Sequence, residues 1–107
     1  MIKFPQVFLW GAATSAHQVE GQNIYNDWWQ AEQEHLIKEA SHLACKHYEL
    51  YAEDFAIAKQ LNHNCHRFSI EWSRIEPQEG SFQEAEIEHY RKIIADLKSK
   101  GMEPIVT

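Results

Sequence analysis

The segment His66–Trp72 carries a cation, a hydroxyl and a carboxylate at alternate positions, a set of residue types that could take part in chemistry. In an extended strand Arg67, Ser69 and Glu71 share one side, and apolar side chains occupy the other. Strands of an ordinary buried parallel sheet are apolar on both faces, so a polar face suits the interior of a barrel. A guanidinium buried there needs an anionic partner, and the first strand supplies no obvious one. The pattern fits equally well an Arg67 that is exposed on the flank of a smaller fold.

The histidines and cysteines give no support for a metal site. Cys45 and Cys65 lie far apart and belong to no C-x-x-C pair, so we expect small buried thiols rather than a disulfide. The histidines form no H-E-x-x-H or comparable ligand spacing. They are His17, His35, His42, His47, His63, His66 and His89. No G-x-G-x-x-G or P-loop sequence follows an early strand, so we expect neither a bound nucleotide nor another cofactor.

The charge and the apolar content of the chain argue against a nucleic-acid-binding protein, a membrane protein and a secreted protein. The 107-residue chain has 10 basic and 16 acidic residues, and its net charge of −6 argues against nucleic acid as the main partner. The longest early apolar stretch, Val7–Ala16, is too short for a membrane span, which needs roughly 18 apolar residues. Only Lys3 precedes it, so a secretory signal peptide also fits poorly. We therefore expect a cytoplasmic protein without membrane contact.

Short apolar runs and helical periodicity predict the elements that position these side chains. The predicted strands are Val7–Trp10, Cys65–Ile70 and Pro104–Thr107. His47–Leu61 is predicted to be helical because apolar residues recur there every three or four positions. A second helix follows Ser81–Glu84, which has the spacing of a capping box, and ends before Gly101. Between the first strand and the first helix, Gln18–Leu43 is polar and aperiodic, and loops of that length are usually functional.

The order of these elements predicts an α/β fold. Strands that alternate with helices form parallel sheets through right-handed crossovers. Periodicity alone does not distinguish an open doubly wound sheet from a barrel.

Three blocks of residues, in a fixed order along the chain, carry a resemblance to a known family. The first is Phe4-Pro5-x-x-Phe8-x-Trp10-Gly11-x-Ala13-Thr14-x-Ala16-His17-Gln18-Val19-Glu20-Gly21. The second is Ala44-Cys45-x-His47-Tyr48, then Glu53-Asp54, then Arg67-Phe68-Ser69-Ile70-Glu71-Trp72-Ser73-Arg74-Ile75-x-Pro77. The third runs from Tyr90 through Leu97, Gly101 and Pro104 to Val106-Thr107. In order and spacing the blocks resemble family 1 glycoside hydrolases, the group of β-glucosidases and 6-phospho-β-glucosidases.

The resemblance implies a retaining β-glycosidase on a (β/α)₈ TIM barrel. Such barrels take about 250 residues, so residues 1–107 would be the N-terminal part of a single barrel domain, with its first three strands and two helices and an end after strand three. The two catalytic glutamates of the family lie in T-x-N-E-P and E-N-G motifs, which do not occur here. Glu20, Glu53 and Glu71 are not expected to replace them. The chain alone is therefore expected to be inactive.

The resemblance also implies roles for individual residues. Gln18 matches the glutamine that hydrogen-bonds sugar hydroxyls, and Arg67 matches the arginine that orients the nucleophile carboxylate. Trp28 and Trp29 match an aromatic loop that either covers the sugar or packs the loop, and packing is the favoured interpretation. The implied partners are small β-glycosides or oligosaccharides, with glucoside, galactoside and 6-phosphoglycoside not distinguished. A non-hydrolytic sugar-binding module and a structural remnant are the alternatives.

Overall fold

Three parallel strands form one sheet in the computed structural model, which describes all residues from Met1 to Thr107. The strands are β1 (Gly11–Ala13), β2 (Cys65–Phe68) and β3 (Glu103–Val106), in the order β1-β2-β3. Arg67 of β2 lies beside Ala13 of β1 and beside Ile105 of β3. Because the strands are parallel, their carboxyl ends share one edge of the sheet. The α/β prediction is confirmed.

Five helices connect or flank the strands. They are α1 (Ala16–Val19), α2 (Asp27–Gln33), α3 (His47–Gln60), α4 (Trp72–Ile75) and α5 (Glu84–Ser99). The helix predicted at His47–Leu61 is α3 and ends one residue earlier than expected. Gly101, with φ of +68°, follows α5 in the left-handed conformation that commonly ends a helix.

The core lies between the sheet and the two long helices. Phe55 of α3, Phe68 of β2 and Leu97 of α5 are buried together. The other buried members of this core are Ile75, Tyr90, Ile93 and Met102. Strand alternation places Arg67 on the face of β2 opposite to Phe68, and Arg67 is exposed there.

The strand predicted at Val7–Trp10 is wrong, since β1 begins at Gly11. The preceding aromatic residues instead pack on one another, with the Phe8 and Trp10 ring centroids 4.7 Å apart. Gly11 passes so close to β2 that a Cβ built on it would lie 2.1 Å from the carbonyl oxygen of Cys65. Glycine therefore occupies the first position of the paired segment, because a residue with a Cβ does not allow this approach.

The capping box predicted at Ser81–Glu84 is also wrong. The residue that precedes α5 is Gln83, and its side chain makes no capping hydrogen bond. Ser81 instead pairs with Gln78 in an isolated antiparallel bridge, which withdraws its backbone from the helix start.

The segment Gln18–Leu43, expected to be a loop, contains α2 and the end of α1. The side chain of Asn26 caps α2 by accepting a hydrogen bond from Trp29 N at 2.8 Å. Both thiols are free, and Cys65 is buried as predicted whereas Cys45 is exposed. None of the five helices combines the length and the apolar content that a membrane-spanning helix requires.

Candidate functional site

Gln18 lies on α1, just beyond the carboxyl end of β1. Its side chain is exposed and borders an open cavity of about 380 Å³. The same cavity is lined by Ser15, His17 and Trp28. The structure therefore brings together two of the side chains singled out in the sequence, Gln18 and Trp28.

Arg67 is the next-to-last residue of β2 and lies near the same edge of the sheet. Its backbone carbonyl accepts a hydrogen bond from Thr14 N at 3.0 Å, and Ser69 Oγ accepts one from Ala16 N at 2.7 Å. These bonds tie the start of α1 to the end of β2. The Arg67 guanidinium is exposed and forms no ion pair within the chain.

The two tryptophans of α2 face different surroundings. The Trp28 side chain is 60% exposed and lines the cavity beside Gln18. Trp29 is half-buried and lines a separate cavity of about 280 Å³, together with Glu32 and Leu43. The packing interpretation therefore suits Trp29, and Trp28 is the tryptophan available to a ligand next to Gln18.

A network of polar side chains that the sequence analysis missed supports this cavity. His17 Nε2 donates to Glu32 Oε1 at 2.9 Å, and Asn26 Nδ2 donates to His17 Nδ1 and to Glu71 Oε2, each at 2.9 Å. The Glu32 side chain is only 5% exposed. Burial opposes its ionisation, but hydrogen bonds from His17 and Ser41 outweigh burial and lower the pKa of Glu32 below its ordinary value. Asn26 was the one indication of this network in the sequence, because asparagine is a preferred N-cap residue and could have predicted the start of α2.

A second buried network fixes α1 against α4 and α5. Glu20 Oε2 accepts from Arg74 Nε at 2.9 Å, and Glu20 Oε1 accepts from the Tyr90 hydroxyl at 2.8 Å. Burial raises the pKa of the Glu20 carboxyl above its ordinary value, although both hydrogen bonds favour the ionised form. Arg74 also donates to the Gly21 carbonyl at 2.6 Å and lies 4.3 Å from the centroid of the Tyr48 ring. Burial and the adjacent Glu86 raise the pKa of Tyr48 to about 12.

The carboxylates of Glu20, Glu32 and Glu71 already accept hydrogen bonds from other residues of the chain. Both oxygens of Glu20 and both oxygens of Glu32 accept hydrogen bonds. Glu71 accepts from the Ser73 hydroxyl at 2.7 Å through one oxygen and from Asn26 through the other. No group of three or more His, Cys, Asp or Glu side chains is arranged to hold a metal ion. The geometry suits recognition of a polar, hydroxyl-bearing ligand more than proton transfer by these residues.

Known proteins resemble the chain over nearly its whole length. The model of glycosyl hydrolase family 1 matches residues 1–107. Beta-glucosidase 12 of Arabidopsis thaliana is 39% identical over 97% of this chain and 23% of its own length. Beta-glucosidase A of Thermotoga maritima is 34% identical over 98% of this chain and 26% of its own length. A solved beta-glycosidase from Pyrococcus horikoshii aligns with a TM-score of 0.91 and 48% identity, covering 97% of this chain and 25% of that protein.

The chain thus spans about a quarter of the length of the relatives that it matches. Its three parallel strands with their helices are an open section of the TIM barrel of these glycosidases, so the predicted fold is confirmed. Because the family model matches every residue from 1 to 107, the chain belongs to glycosyl hydrolase family 1.

Proposed function

We propose that the full-length protein is a retaining, β-glucosidase-like hydrolase of β-O-glycosidic bonds. Residues 1–107 then form part of its single barrel domain, and its substrates are small β-glycosides or oligosaccharides. Family membership supports this proposal, as do the relatives described as β-glucosidases. The observation that carries it is the placement of Gln18, Trp28 and Arg67 at the carboxyl edge of the sheet, where TIM-barrel enzymes have their active sites.

Gln18 supplies the contact to sugar hydroxyls. A carboxamide both donates and accepts hydrogen bonds, which matches two neighbouring hydroxyl groups of a pyranose. The side chain is exposed at the open cavity and forms no side-chain hydrogen bond that a sugar would have to displace. Trp28 adds an aromatic face next to it, suited to packing against the C–H groups of the ring.

Arg67 orients the nucleophile. Its guanidinium lacks an anionic partner among residues 1–107, and a carboxylate from a later part of the barrel would provide one. An adjacent guanidinium keeps a carboxylate ionised and presents planar donors that hold its orientation. A partner of this kind would place the Arg67 side chain in the barrel interior.

The catalytic glutamates come from elsewhere in the protein. A retaining glycosidase needs an acid/base and a nucleophile about 5–5.5 Å apart, the nucleophile forming a covalent glycosyl intermediate. The motifs that carry them in the family do not occur in residues 1–107, and Glu20, Glu32 and Glu71 are occupied by structural hydrogen bonds. Hydrolysis therefore depends on the remaining part of the barrel.

The stereochemistry of hydrolysis tests this proposal. We expect the purified full-length protein to hydrolyse an aryl β-glucoside and to release the β-anomer first, as followed by proton NMR before mutarotation. Release of the α-anomer first would contradict a retaining mechanism. Binding of the glycoside without any turnover would favour a non-hydrolytic sugar-binding protein instead.

A further inference from the structure

Four side chains link α1 and α2, which line the cavity, to the residue that precedes α4. Glu32, His17, Asn26 and Glu71 follow one another in this four-residue network, with each successive pair 2.9 Å apart. His17 belongs to α1, Glu32 belongs to α2, Asn26 caps α2, and Glu71 precedes α4. The network therefore connects the helix that carries Gln18 to the helix that carries Trp28.

The hydrogen bonds fix the protonation of His17. Asn26 Oδ1 accepts from Trp29 N, so its amide NH₂ group faces His17 and can only donate. His17 Nδ1 must then be the unprotonated nitrogen. The Glu32 carboxylate can only accept, so His17 Nε2 must carry the proton. The arrangement is consistent only with the neutral Nε2–H tautomer of the imidazole.

The helices themselves are too short to hold this geometry. α1 has 4 residues and α2 has 7, whereas isolated helices below roughly 12 residues are marginal in water. The His17 ring lies against the Trp28 indole, with centroids 6.4 Å apart and the planes inclined by 27°. Gln18 is the next residue along α1. The orientation of Trp28 relative to Gln18 therefore depends on where the network holds His17.

We propose that His17 is a positioning residue, held as the neutral Nε2–H tautomer between Asn26 and Glu32, which fixes the indole of Trp28 beside Gln18. This inference rests on the sugar-binding role proposed for the cavity. His17 itself contacts no reacting atom in this account. It acts through the placement of Trp28.

A double-mutant cycle in the full-length enzyme tests the role, with kcat/KM for an aryl β-glucoside as the readout. His17→Phe keeps a ring against Trp28 but removes both nitrogens. Asn26→Ser removes the amide that donates to His17 and keeps a good helix cap. Because small misplacements in a binding site are costly, each variant should lower kcat/KM by about tenfold, mainly through KM. In a Trp28→Ala background each should change it by less than about twofold, since coupled effects are not additive.

The outcomes separate this inference from the proposed function. Suppose that His17→Phe and Asn26→Ser lower kcat/KM in the Trp28→Ala background by as much as they do in the wild type. That result would give the network a purely structural role and would overturn the inference. Wild-type kcat/KM for a folded Asn26→Ser variant would also overturn it, and this variant serves if His17→Phe does not fold. If Trp28→Ala has no effect by itself, the role of Trp28 and this inference both fall. The proposed function is then still tested independently by Gln18→Ala and by the anomer released.

Discussion

The side chains of Gln18 and Arg67 differ from the carboxylates around them in having no partner within the chain. Glu20, Glu32 and Glu71 are held by Arg74, His17 and Asn26, among other donors. Unsatisfied exposed groups at the carboxyl edge of a barrel are available to a ligand or to another segment, whereas saturated buried groups are not. At the residue scale, Gln18 and Arg67 are therefore the side chains through which the chain is proposed to bind the sugar and orient the nucleophile.

Gln18→Ala tests the sugar contact. In the full-length enzyme, we expect kcat/KM for aryl β-glycosides to fall by about 10²-fold, because hydroxyl contacts that strengthen in the oxocarbenium-like transition state contribute a few kcal/mol. The matched control is Gln60→Ala, at an exposed position near the end of α3, which should leave kcat/KM unchanged. Wild-type kinetics for Gln18→Ala would remove its proposed role.

Arg67→Met tests the orientation of the nucleophile. Loss of a cation within about 4–6 Å raises the pKa of a carboxylate, because the ionised form loses its nearest opposite charge. The essential base of the free enzyme then titrates at higher pH, so the acidic limb of the kcat/KM profile should move to higher pH. Activity at the optimum should also fall. The profile must be measured well below the melting temperature, and an unmoved acidic limb in a folded variant would leave Arg67 with a structural role only.

At the scale of elements, the sequence predicted the long helices better than the short ones. Apolar spacing is visible in both long helices because each packs on the core, α3 through Phe55 and α5 through Ile93 and Leu97. α1, α2 and α4 have 4, 7 and 4 residues and bury few side chains, so no period develops. These short helices are held by N-caps and by side-chain hydrogen bonds. The hydrogen bonds of Asn26, for example, reach His17 and Glu71, which are distant in sequence.

The first strand shows a different reason why the sequence alone does not predict every element. Val7–Trp10 has the composition of a buried strand, but the sheet pairs the small residues that follow it. Which of the two segments pairs depends on the close approach of Gly11 to Cys65, a tertiary contact that periodicity does not record. The family resemblance indicates Gln18, Trp28 and Arg67 as candidate site residues, whereas the hydrogen bonds of His17 and Glu32 are visible only in the structure.

Arg74→Met tests the anchor of α1. Removing one partner from a buried ion pair leaves the Glu20 carboxylate unpaired and costs about 3–5 kcal/mol. The melting temperature of the full-length protein should fall clearly. Arg91→Met is the matched control, since Arg91 is 62% exposed and its ion pairs should contribute below about 1 kcal/mol. Equal losses in the two variants would mean that the Glu20–Arg74 pair does not stabilise this region.

At the scale of the whole chain, a large apolar surface is uncovered. Only 15 of 107 residues are buried, and the radius of gyration is 15.8 Å, against about 13 Å for a closed domain of this length. Ile105 and Val106 of β3 are 39% and 41% exposed, and the aromatic residues that precede β1 are also exposed. Ile105 and Val106 lie on an edge strand of the open sheet, whereas the aromatic residues precede β1 and belong to no strand.

The isolated 107-residue chain should therefore be poorly folded. Its buried area offsets too little of the chain entropy, and both edge strands are open to pairing with other molecules. We expect aggregation or a molten state, with strong binding of an apolar dye and weak near-ultraviolet circular dichroism. A monomeric chain with a cooperative thermal transition would contradict this expectation.

Turnover of an aryl β-glucoside is compared between the full-length protein and residues 1–107 at equal molar concentration. We expect hydrolysis by the full-length protein and none above background by the 107-residue chain, because under the proposed function the chain supplies Gln18 and Arg67 but no catalytic carboxylate. Turnover by the chain that is abolished by a single substitution such as Glu71→Gln would show that the reacting groups lie within it, and would contradict the account.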